Sequence, residues 1–131
     1  MQMLSHNPAA AYRRVELDAR IEAAGAADLT RICLEEAHTA LGRALIVLGR
    51  DAPDHGRVKA GSFAGRDALV RAQTIMLWLA RSVAPEHPLH ASLTTFYGGL
   101  AAQIGGNILQ PDTGTLERIR GDISDLIAAA G

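Results

Sequence analysis

Few residues in this chain have the types and spacing that chemistry needs. Glu35 and His38 stand three positions apart. On a helix that spacing puts a carboxylate and an imidazole on one face, as in the di-iron centres of helical bundles. Such a centre also needs a second pair of this kind and two further glutamates, and the chain supplies no second pair. By helical spacing Glu35 and His38 point away from the apolar series Leu29, Cys33 and Ala37, which predicts a solvated position. Glu86, His87 and His90 gather around Pro88. A metal would need three of their side chains to converge, whereas turn polarity and helix capping account for them more simply. Cys33, the single cysteine, lies within an apolar series and reads as a small buried hydrophobe. It allows no internal disulfide and points to a reducing compartment. There is no dinucleotide glycine signature, no Walker sequence and no nucleophile elbow. The expectation is a protein with no catalytic residue, cofactor or metal. A metal-binding or redox helical-bundle enzyme using Glu35 and His38 is the alternative.

The elements that would position these residues are helical. From Arg66 to Leu109 the apolar residues recur at steps of three and four. They fall first at Leu69, Ala72, Ile75, Met76, Leu79 and Val83, then at Leu89, Leu93, Phe96, Tyr97, Leu100, Ile104 and Ile108. Pro85 and Pro88 separate the two series, so they read as a hairpin of helices. Upstream, Leu29, Ile32, Cys33, Ala37, Ala40, Leu41, Ala44, Leu45 and Leu48 form another stripe. Downstream, Leu116, Ile119, Ile123, Leu126 and Ile127 form a last one. Helices are expected at about 26–49, 62–83, 88–109 and 115–129, with a polar loop between the first two. Residues 1–24 read as an appendage: a short helix begun by Asn7-Pro8, then an extended strap over the alternating Val15 to Ala23. The predicted fold is all-α, an antiparallel up-down four-helix bundle carrying that N-terminal strap.

Bulk properties narrow the field. A chain of 131 residues suits one domain able to bury a sizeable core without disulfide or metal support. The hydrophobic fraction is 48% but the aromatic fraction only 4%, so aliphatic side chains and alanine must build the core. A net charge of −1 without a basic block argues against nucleic acid as a partner. No stretch has the apolar length of a membrane span, and the first residues lack the apolar run of a signal peptide. A soluble, cytoplasmic protein without membrane insertion is expected.

Glycine raises a separate question. Gly98, Gly99, Gly105 and Gly106 fall inside a predicted helix. Each costs about 0.8–1 kcal/mol there relative to alanine. Gly98, Ala102 and Gly105 follow one another at steps of four and three, forming a lane of small residues along which another helix could pack closely. That helix could belong to this chain or to a partner.

Several stretches, in order along nearly the whole chain, resemble the motifs of one known family. Ala11-Tyr12-Arg13-Arg14-Val15-Glu16-Leu17-Asp18 is similar to that family's opening motif. Ala24 to Leu29, then Ala37 to Leu41, continue the register without gaps. Arg71 to Ile75 and Leu93 to Tyr97 match two further motifs, and Asp112, Leu116 and Ile119 match the start of the last helix. Together these stretches resemble the FliS-type flagellar export chaperones, and the chain departs from that family at Gly25-Ala26, Cys33-Leu34-Glu35-Glu36, Gly99 and Ile108. The resemblance implies a bundle of antiparallel helices whose client is the C-terminal segment of flagellin, with the flagellar type III export gate as a second partner. It implies a cytoplasmic role in preventing premature filament assembly and aiding delivery for export. Tyr12 and Tyr97 are motif matches for client contact. Val15, Leu93, Gly98, Ala102 and Gly105 join them from the stripe and the small-residue lane. Met1, Met3 and Leu4 read either as a terminus without fixed structure or as the filling of a groove when the client is absent.

Overall fold

The computed structural model describes residues 26–51 and 63–130. The appendage at 1–24, with Met1, Met3, Leu4, Tyr12 and Val15, and most of the polar loop after the first helix lie outside the described residues. Those described form four helices and no strand: α1 (Ala26–Asp51), α2 (Phe63–Ser82), α3 (His90–Leu109) and α4 (Thr113–Ala130).

Helix α1 packs against both α2 and α4, and α2 packs against α3; α3 and α4 meet over a much smaller area. The apolar spacing explains why α1 can serve two neighbours. Cys33, Leu34, Ala37, Ala40, Leu41, Ala44 and Leu48 are all buried, a stripe wider than a single packing seam requires. Ala37, Ala40 and Ala44 have no exposed surface, and their small side chains let neighbouring helices approach closely. Leu69, Ala72, Met76 and Leu79 from α2, Tyr97, Leu100, Ala101 and Ile104 from α3, and Leu116, Ile119 and Ile123 from α4 complete one core. Leu41, Met76, Ile104 and Ile119 are among its fully buried large side chains.

Polar contacts fix how the helices sit against one another. On the α1–α2 side, Arg71 donates from Nε (3.1 Å) and Nη2 (2.9 Å) to one carboxylate oxygen of Glu36. Further along, Gly65 sits beside Val47 and Leu48. Between α2 and α3, Gln73 Nε2 donates to the carbonyl of Ala101 at 3.3 Å. Between α1 and α4, Arg120 Nε donates to the carbonyl of His38 at 3.1 Å.

The two connections after α2 are built by local hydrogen bonds. In the α2–α3 turn, the backbone N–H of His87 reaches the carbonyl of Ala84, and that of His90 reaches the carbonyl of His87. His87 Nδ1 accepts the N–H of Leu89, while His90 Nδ1 lies 3.2 Å from the Ala84 carbonyl. Before α4, Asp112 Oδ1 accepts the N–H groups of Gly114 (3.1 Å) and Thr115 (3.4 Å), a side-chain N-cap. The cap starts α4 at Thr113, two residues earlier than the apolar spacing predicts. Thr115 donates its hydroxyl to Asp112 Oδ2, and that bond, followed by the backbone donors, holds the carboxyl below the usual range. Asn107, a buried polar side chain, closes α3: its amide donates to the Gln103 carbonyl and its oxygen accepts the N–H of Asp112 at 2.6 Å.

Candidate functional site

The described residues singled out for their chemistry lie on α1 and in the α2–α3 turn. Among the described residues no three of His, Cys, Asp and Glu lie together as metal ligands. His87 and His90 spend Nδ1 on the turn, which fits their reading as capping groups. Cys33 is 5% exposed, and burial, then the nearby charge of Glu36, push its thiol pKa up and disfavour the thiolate. Glu35 and His38, expected on a solvated face, are half-buried instead. For His38 the reason is α4, whose Arg120 reaches its carbonyl.

The α1–α4 side holds an open groove of about 830 Å³ lined by His38, Gly42, Ile46, Glu117, Arg120 and Ser124 among others. The Arg120 guanidinium lies directly over Gly42, where an added Cβ would come within 2.7 Å of Nη2. Burial, then the positive charge of Arg120, lower the pKa of His38. The Arg43 guanidinium and the Thr39 hydroxyl also line the groove.

The sequence-derived partner residues on α3 separate into three groups. Tyr97 is 5% exposed and belongs to the core, where burial raises its pKa; Leu93 is half-buried against the same core. Gly105 lies under the Gln73 amide, so its lack of a side chain serves packing within this chain. Gly98 and Ala102 remain. Ala102 is exposed, and an added Cβ at Gly98 would meet nothing within 4 Å. Gly99 and Gly106 are exposed with equally open surroundings.

This open surface has a property that periodicity did not reveal. Helix α3 contains no Asp, Glu, Lys or Arg, yet much of it faces outward. Its exposed positions include Ser92, Thr95, Gly99, Ala102, Gly106 and Leu109, the last 83% exposed. Phe96 and Leu89, placed in the buried stripe by spacing, are 41% and 55% exposed. The region where α3 meets α4 only sparsely leaves less to cover that side of the helix. Side chains that spacing passed over are also exposed on α2: Val70, Leu77 and Trp78. No described helix is long and apolar enough to cross a membrane.

Compared with known protein families and with curated proteins, the chain matches none.

Proposed function

We propose that the protein is a non-enzymatic export chaperone whose client is the C-terminal segment of flagellin. The observation that carries this reading is α3, an outward-facing helix without a charged side chain whose Gly98–Ala102 lane is open. Water-facing helices ordinarily carry charge on the exposed side. A partner helix packing on the lane would cover α3 and give a use to glycines that weaken it. An unfolded amphipathic tail is suited to this, since it can order on an apolar surface at some cost in entropy. The register of motifs from Ala11 to Ile119 supports flagellin as the source of the tail.

In this reading the four helices run up and down in turn as one domain. The contacts of Arg71 with Glu36 and of Gly65 with Val47 support opposite directions for α1 and α2, because α1 numbers rise as α2 numbers fall. Gln103 with Arg118 and Asn107 with Asp112 support the same for α3 and α4. The protein acts in the cytosol, holding its client unpolymerised and presenting it to the export gate. Glu36, where the chain departs from the family pattern, pairs with Arg71. A metal-binding or redox bundle has no observation in its favour among the described residues.

The test is a pull-down with a peptide of about forty residues from a flagellin C-terminus, a length typical of a segment that folds on binding. Retention of that peptide, but not of one from the flagellin N-terminus, is expected. Equal retention of both, or of neither, overturns the reading.

A further inference from the structure

On the outward side of α2, Asp67, Val70, Thr74, Leu77 and Arg81 follow the three-four-three-four spacing of a helix-packing seam, with Trp78 beside Leu77. All six are exposed, Val70 to 42% and Leu77 and Trp78 each to 39%. This seam is separate from the core face, which is made by Leu69, Ala72, Met76 and Leu79. At its midpoint Thr74 donates its hydroxyl to the Val70 carbonyl at 2.8 Å, satisfying the polar group within the helix.

The order of residues along the seam identifies its occupant. Thr74 is seven positions from Asp67 and seven from Arg81, and four from both Val70 and Trp78. Turning the helix end for end about Thr74 therefore brings Asp67 onto Arg81 and Val70 onto Trp78. We propose that this face binds a second copy of the chain, α2 antiparallel to α2, around a two-fold axis at Thr74. Opposite charges at the two ends, with Val70 on Trp78 between them, make the face complementary to itself, as a two-fold contact requires; Leu77 falls onto Arg71, whose guanidinium is held by Glu36. Each pair forms twice. The seam from Asp67 to Arg81 is about 21 Å long at 1.5 Å per residue. So short a contact makes a weak, concentration-dependent dimer. The inference rests on α2 alone and stands apart from the client proposed for α3.

Sedimentation of the full-length chain from about 1 µM to 1 mM, the range in which weak complexes form, provides the test. The mass should rise from monomer toward dimer, and the emission of Trp78, the single tryptophan, should shift to the blue with it. Val70→Glu, which sets a carboxylate against Trp78 of the other copy, should abolish both changes while leaving the helical circular dichroism intact. Asp67→Arg and Arg81→Asp should each weaken the dimer at least tenfold, and the double variant should restore it. Oxidation should cross-link Thr74→Cys efficiently and Ser92→Cys, on exposed α3, poorly. A monomer across the whole range overturns the proposal. So does a dimer that tolerates Val70→Glu, or one that the double charge reversal fails to rescue, since another surface would then be responsible.

Discussion

Glycine occupies two different environments, and alanine substitution separates them. At Gly99 the space around an added Cβ is empty, so Gly99→Ala should stabilise the protein by about 0.8–1 kcal/mol from helix propensity alone. At Gly42 the new methyl would displace the Arg120 guanidinium and its bond to the His38 carbonyl. Gly42→Ala should therefore end about 0.5–1.5 kcal/mol below Gly99→Ala, the contribution of one hydrogen bond. Urea denaturation of both variants reads the difference. The Arg71–Glu36 pair, with side chains 20% and 15% exposed, is sheltered enough to matter. Glu36→Gln should cost about 1.5–3 kcal/mol, the range for hydrogen bonds to a charged group. His38 gives a pH signature. Its folded pKa is lowered, so the unfolded chain binds the proton more readily. Its contribution is complete above the unfolded value of about 6.5 and is lost as pH falls from there toward the lower folded pKa. Wild-type protein should lose stability over that window more steeply than His38→Gln, measured as urea midpoints between pH 7.5 and 5.5.

At the scale of elements, periodicity located the core-facing stripes well. Each of Cys33, Ala37, Leu41, Leu69, Met76, Leu100, Ile104, Leu116 and Ile123 is buried, as the steps of three and four predict. Spacing was less informative at the margins of each stripe. Leu89 and Phe96 share the apolar period of α3 but stay exposed, a tertiary fact that no single helix encodes. The half-burial of His38 has the same origin, because it depends on α4 crossing a particular side of α1. Turn chemistry was partly legible: Pro85 and Pro88 marked the break, while the use of His87 Nδ1 as an acceptor required the folded turn. The α3–α4 connection offers its own test. Asn107→Leu keeps the branched shape but removes the bond to the Asp112 N–H, and the loss of that hydrogen bond should cost about 0.5–1.5 kcal/mol. A fall in the thermal midpoint with unchanged helical content is the expected outcome.

The whole molecule combines a well-filled core with an outside that is unevenly finished. Charge lines parts of α1, α2 and α4, whereas α3 has none. The small-residue lane was visible in the sequence, but its division was not: Gly105 serves Gln73 within the chain, and Gly98 with Ala102 faces outward. The proposed client would meet the outward part, which is open, and the central claim concerns that surface. Calorimetric titration with the flagellin C-terminal peptide, repeated at several temperatures, addresses it directly. The account predicts saturable binding with a negative heat-capacity change, the mark of apolar burial. It also predicts at least a tenfold loss of affinity for the double variant Gly98→Glu and Ala102→Glu, whose circular dichroism should match the wild type. Equal affinity of the two proteins, or no binding by the wild type, would contradict it.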